Sequence, residues 1–82
     1  MDKEQVTKKF EEVIHDVLPE IDGDINMNAS ITREYGVNSV SLIRLIVAAE
    51  EKFDVSFTDF ELALEEYESF GDIVAVISEK IS

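Results

Sequence analysis

Residues Glu34 to Leu45 read EYGVNSVSLIRL. A glycine, then small polar residues, then an apolar run marks a turn that opens a helix. Asn38 and Ser39 are both good helix N-caps, so either can start the helix, with Ser39 at or beside its first position. Gly36 supplies a permissive backbone for the turn. Beyond Ser39, the residues Leu42, Leu45, Ile46, Ala49 and Phe53 form one stripe at helical spacing. Val40, Ile43 and Val47 form a second stripe on an adjoining face. An amphipathic helix needs only one. Either the helix over 39–53 is enclosed nearly all round, or the second stripe is an exposed apolar patch beside Ser39, of the kind that marks interaction sites.

The flanking segments predict more helices. Val6, Phe10, Val13, Ile14 and Val17 share one face of a helix over 2–17. Asp2 with Gln5 has the form of a capping box, and Pro19 ends the helix by excluding helical geometry at Leu18. Residues 18–38 contain turn formers (Asp22-Gly23-Asp24, Asn26, Asn28), yet Ile25, Met27, Ala29 and Ile31 alternate as in a strand. Phe53, Val55 and Phe57 alternate too, but a lone pair of short strands is marginal. A long loop pinned by its apolar side chains is the preferred reading. Thr58-Asp59-Phe60-Glu61 is a capping box for a short third helix over 59–66. Ser69-Phe70-Gly71-Asp72 introduces a fourth over 70–81, with Phe70, Ile73, Val74, Ile77 and Ile81 on one stripe. The expected fold is all-α: one domain over 1–82, a small four-helix bundle with a long loop between its first two helices and a short third helix.

At 82 residues the chain can build only one thin core, with little material for a walled catalytic pocket. Nineteen acidic residues oppose seven basic ones, a net charge of −12. Nucleic acid and anionic lipid are poor partners for such a surface, whereas a basic protein patch complements it. Self-repulsion on this scale also predicts that salt stabilises the fold. With no cysteine there is no disulfide, zinc–thiolate or thiol chemistry from the chain itself. MDKEQVTKKF lacks the apolar run of a signal peptide, and no stretch reaches transmembrane length, so a cytoplasmic monomer with no membrane insertion is expected.

Three constellations of residues bear on chemistry. Asp22, Asp24 and Asn26 fit the first, third and fifth positions of a calcium loop, but Met27 replaces the required glycine and Arg33 the bidentate glutamate. A cation in that last position disqualifies the loop. His15 is the single histidine and falls near the end of the first helix, where it suits the helix dipole better than a metal or a nucleophile. Ser39 lacks a G-x-S-x-G elbow and an evident base, which argues against a hydrolase. No catalytic or metal residue is assigned, and the chain is not read as an enzyme.

Gly36-Val37-Asn38-Ser39-Val40, the apolar helix, and then Ala49-Glu50-Glu51-Lys52-Phe53-Asp54 resemble the acyl carrier protein family, which carries a G-x-D-S-L element followed by a helix ending in an E-E-x-F-D run. The likeness extends through INMNASITREYG (25–36), Val55 to Asp59, and Tyr67-Glu68-Ser69-Phe70, so it spans nearly the whole chain in order. The resemblance implies that Ser39 receives 4′-phosphopantetheine from coenzyme A, installed by a phosphopantetheinyl transferase that uses magnesium. The arm's thiol would carry an acyl or aminoacyl group as a thioester for enzymes of fatty acid, polyketide or related specialised biosynthesis. Gly36, Asn38 and Val40 match the motif around the serine. Val40, Ile43, Arg44, Val47, Glu50 and Glu51 match partner-facing positions, meeting loading and acyl-transferring enzymes with basic docking patches. An external transferase and a cofactor thiol would account for a serine without a base in a chain without cysteine.

Three positions depart from the family pattern. Asn38 stands where an aspartate is usual, and Ser41 and Arg44 stand where acids are frequent. Reversed charge on the docking helix implies dedicated partners rather than housekeeping fatty-acid enzymes. The alternative reading is a carrier-like interaction module that binds through Val40, Ile43 and Val47 and is never modified.

Overall fold

A computed structural model of the chain describes residues 2–81; Met1 and Ser82, the ends of the expected 1–82 domain, lie outside the described residues. The first helix, α1, runs Lys3–Val17. Its start is the expected capping box: Asp2 accepts the Gln5 N–H at 2.8 Å and Gln5 accepts the Asp2 N–H at 3.1 Å. Val6, Phe10, Val13 and Ile14 are buried, so the predicted stripe is the core face. The chain leaves helical geometry at Leu18, directly before Pro19.

After α1 the chain does not form a strand. Ile21, Ile25 and Ile31 are buried and pin the segment to the bundle. The Tyr35 hydroxyl accepts the Asn26 N–H at 2.8 Å, and His15 Nε2 lies 3.2 Å from the Gly23 carbonyl oxygen. His15 therefore holds the loop as donor in addition to occupying the last turn of α1. The pairing of 25–31 with 53–57 is not made; the bridge recorded among the described residues joins Ser30 to Ser69.

The expected loop over 18–38 contains a short helix, α2, at Ile31–Tyr35. Ser30 caps it by accepting the Arg33 N–H at 3.2 Å, and Gly36 ends it in the left-handed conformation at φ 65°. Five residues show too little of a helical period to be read from sequence, and the preceding alternation points elsewhere.

The helix α3 spans Ser39–Phe53, as its stripe predicts, and buries Leu42, Leu45, Ile46, Ala49 and Phe53. The last, α4, spans Phe70–Ile81 and buries Phe70, Ile73, Val74 and Ile77. Ser69 and Asp72 form its cap reciprocally, with Ser69 Oγ accepting at 3.3 Å and Asp72 Oδ2 at 3.2 Å. α1 packs against both α3 and α4. Phe10 meets Phe70 edge-on at 6.1 Å, and Tyr35 lies 5.3 Å from the same ring. Each such buried aromatic or aliphatic side chain contributes about 1.5–3 kcal/mol over exposure, so these faces dominate stability.

The expected third helix over 59–66 takes a different form. Residues Phe60–Leu62 and Leu64–Glu66 are two 3₁₀ turns separated by Ala63 in extended geometry. The Thr58–Glu61 box forms, with N–H to oxygen distances of 2.9 and 3.3 Å, but it supports a single turn. Leu62 and Leu64 both pack against the core. A two-residue spacing cannot face inward from an α-helix, and an extended Ala63 between them satisfies it. Glu61 also pairs with Lys80 of α4 at 2.9 Å, and its backbone carbonyl accepts the Tyr67 hydroxyl at 2.7 Å.

Candidate functional site

The site begins with who caps α3. Asn38, in extended geometry, is the N-cap, and Ser39 is the first helical residue. Asn38 Oδ1 accepts the Ser41 N–H at 2.9 Å, and Ser41 Oγ accepts the Asn38 N–H at 2.9 Å. Ser41 Oγ also lies 3.1 Å from the Asn38 carbonyl oxygen. Asn38 and Ser41 thus consume each other's polar groups. Ser39 is relieved of the capping role that its residue type would have allowed. It is exposed, and its hydroxyl has no hydrogen-bond partner among the described residues.

Two features fit this position to a phosphodiester. The Ser39 and Val40 N–H groups belong to the first helical turn and have no acceptor among the described residues. Together with the dipole of a fifteen-residue helix they favour an anion at the Ser39 side chain. Asn38 is neutral, so the cap adds no charge that would repel a phosphate. Gly36, in left-handed geometry, turns the chain from α2 into this junction, and buried Val37 anchors the junction to the core.

The second stripe of α3 is exposed: Val40 by 66%, Ile43 by 43% and Val47 by 47%. A shallow cleft lined by Asp16, Val17, Ile43, Arg44, Val47, Ala48 and Glu51 runs along it beside the end of α1. Arg44 also lines a second cleft with Pro19, Glu20, Asn38 and Ser41, so it stands between the stripe and the Ser39 end of the helix. It makes no ion pair among the described residues, although Asp16, Glu20 and Glu51 border the same clefts. Glu51 is exposed as well. Glu50 is not arranged like the others: it is half-buried, and its carboxylate accepts the Phe57 N–H at 2.7 Å. Its role is to tie the end of α3 to the following loop, which the spacing alone did not reveal.

Phe60 was missed altogether. It is the most exposed large apolar side chain described, at 72%, on the first 3₁₀ turn, which packs on α3. A helical reading of 59–66 offered no reason to separate it from the inward-facing leucines. Asp22, Gly23 and Asp24 lie in an exposed turn. Among the described residues no group of three or more acidic or histidine side chains is arranged to hold a metal ion. None of the described helices is long and apolar enough to cross a membrane.

Ser39 is thus an exposed serine at the head of an amphipathic helix, with no side-chain partner among the described residues. Comparison with known proteins shows the family to which the chain belongs. Residues 8–77, a range that contains Ser39, match the family described as "Phosphopantetheine attachment site". The chain is 30% identical over its whole length to an acyl carrier protein of Petrotoga mobilis, covering 94% of that relative. It is 32% identical to one of Acidothermus cellulolyticus, over 95% of this chain and 90% of the relative. A third, of Clostridium acetobutylicum, is 35% identical over 88% and 91%. The chain belongs to the acyl carrier protein family. It is a carrier rather than an enzyme: it holds acyl groups on a covalently bound 4′-phosphopantetheine arm and works with a phosphopantetheinyl transferase and with biosynthetic enzymes.

Proposed function

We propose that Ser39 is the residue to which the arm is attached. The observation that carries this is the division of labour at the head of α3. Asn38 and Ser41 are locked in the capping box, while the Ser39 hydroxyl is exposed and unpartnered among the described residues. In the transfer, Ser39 Oγ forms a new bond to the phosphorus that bears pantetheine. The pyrophosphate bond of coenzyme A breaks, adenosine 3′,5′-bisphosphate leaves, and the serine proton passes to the transferase. The arm supplies the thiol that a chain without cysteine lacks. The chain's own contribution is to present the hydroxyl, keep Ser41 out of competition, and offer unpaired N–H groups to the phosphodiester.

Intact-mass measurement after incubation with coenzyme A, magnesium and a panel of phosphopantetheinyl transferases tests the assignment. A gain of one phosphopantetheine is expected for the native chain and for Ser41→Ala, and none for Ser39→Ala. No gain with any transferase would leave the unmodified interaction module as the better reading.

The docking surface proposed is Val40, Ile43, Val47, Arg44 and Glu51, with Glu50 withdrawn by its bond to the loop. An arginine without an ion pair among the described residues, set within an apolar stripe, favours a partner that places an acid opposite Arg44 and bases opposite Asp16 and Glu51. Such a mixed pattern supports dedicated enzymes of a specialised pathway over a uniformly basic patch. The net charge of −12 supports a monomer, and dependence on coenzyme A a cytoplasmic setting.

A further inference from the structure

Taking Ser39 as the attachment point, we infer that its arm docks on the protein's own surface, in the cleft between the end of α1 and the head of α3, with Arg44 holding the phosphodiester. The first reason is position. The cleft has a volume of about 440 Å³, within the size range of small-molecule sites. Asn38 and Val40, the two chain neighbours of Ser39, both line it, so a group tethered at Ser39 begins at its rim. Tethering makes the encounter intramolecular, and the high effective concentration lets individually weak contacts hold the arm.

The second reason is chemistry. A phosphopantetheine arm has an anionic phosphodiester, two geminal methyls, and two amides. A surface with a net charge of −12 repels the phosphodiester over most of its extent. Arg44 is the only base between Arg33 and Lys52. It is exposed and makes no ion pair among the described residues, so its donors are open to a phosphate oxygen. Its two neighbouring bases are placed otherwise: Arg33 lines a separate cleft with Glu65 and Glu68, and Lys52 pairs with Glu12 at 3.4 Å. Val17, Pro19 and Val40 bring apolar surface for the methyls. The Val17 and Pro19 carbonyls accept no hydrogen bond among the described residues, and the Asn38 side-chain amide N–H groups donate none. Both kinds of group suit the arm's amides. Because Arg44 also lines the cleft along the apolar stripe, a partner that engages it competes with the docked phosphodiester and frees the arm.

The test compares nuclear magnetic resonance spectra of the unmodified and arm-bearing forms of the native chain, Arg44→Gln and Arg44→Lys. Fragment mass measurement first verifies one phosphopantetheine on Ser39 in each arm-bearing form. In the native chain, amide signals of residues 17–20 and 44 should shift on modification, beyond the change at 38–41 that attachment itself causes. The geminal methyls should show nuclear Overhauser contacts to Val17 or Pro19. Arg44→Gln should reduce the shifts at 17–20 about two- to fivefold, the worth of an exposed ion pair, with an unchanged melting temperature. Arg44→Lys should keep part of them, and rising salt should shrink them in the native chain. Absence of the mass gain on Ser39 would remove the attachment and the docking together. A verified arm on Ser39 with shifts that stop at residue 41, or with shifts at 17–20 that Arg44→Gln leaves unchanged, would overturn the docking and leave the attachment standing.

Discussion

Asn38 and Ser41 exchange backbone-to-side-chain hydrogen bonds of 2.9 Å in both directions across the first turn of α3, and Ser39 stands between them with neither. Capping thereby falls to Asn38 and Ser41, and the Ser39 side chain is left out of it. Asn38→Ala should destabilise the fold by about 1 kcal/mol, the usual cost of a lost N-cap. Ser39→Ala should stay within about 0.5 kcal/mol of the native chain, as a surface change that breaks no bond. Urea unfolding of the two variants checks this; equal losses would mean that Ser39 shares the cap.

Two glycines separate conformational from steric need. Gly36 has φ 65° with nothing within 4 Å of an added Cβ, so Gly36→Ala should cost about 1 kcal/mol through left-handed strain alone. At Gly71 an added Cβ would come within 2.9 Å of the Met27 carbonyl oxygen, the atom that accepts the Gly71 N–H at 2.8 Å. That contact joins α4 to the loop, so Gly71→Ala should cost more, about 1–3 kcal/mol. Thermal unfolding should rank native above Gly36→Ala above Gly71→Ala.

The two stripes of α3 should respond oppositely. Ile46→Ala, at a fully buried position, should lose about 2–5 kcal/mol of stability. Ile43→Glu and Val47→Glu should fold like the native chain while slowing acyl transfer by a partner enzyme. Arg44→Glu should shift partner preference, raising kcat/KM with enzymes whose docking patches are uniformly basic. Circular dichroism together with transfer kinetics separates these effects.

Glu61 and Tyr67 predict opposite ends of a stability–pH profile. The Thr58 backbone N–H, and then Lys80, hold the Glu61 carboxyl below its ordinary 4.5. A depressed carboxylate stabilises the fold above 4.5, and that contribution fades as pH falls through the folded value. Glu61→Gln should therefore differ from the native chain at neutral pH and converge with it in acid. Burial, aided by Glu61 and Glu66, pushes the Tyr67 phenol up to about 12. Its contribution is complete below the ordinary 10.0 and is lost as pH rises through about 12. Phenolate absorbance should place the Tyr67 transition near that value in the native chain.

The net charge of −12 should make stability rise with ionic strength. Of the three described ion pairs, Glu4–Lys8 at 3.9 Å and Glu12–Lys52 at 3.4 Å are exposed and contribute little against the excess. Melting temperatures that stay flat from low to moderate salt would contradict this.

The sequence by itself determined the three long helices. Their stripes repeat over three or more turns and their ends carry local chemistry: Asp2 with Gln5 and Pro19, Asn38 or Ser39, and Ser69 with Asp72. Periodicity and capping act within a few residues of chain, so they are readable without the fold. The resemblance around Ser39 was legible for the same reason, as a short contiguous run. Only the tertiary structure decided what depends on contacts distant in sequence. It gave the cap to Asn38 and left Ser39 free, where propensity allowed either. It broke the segment 59–66 at Ala63, because the core draws in Leu62 and Leu64 together and Tyr67 folds back on Glu61. It turned Glu50 to the loop and Phe60 to solvent. A propensity states what a residue can do; which of those options is taken depends on the surface that the rest of the chain brings to it.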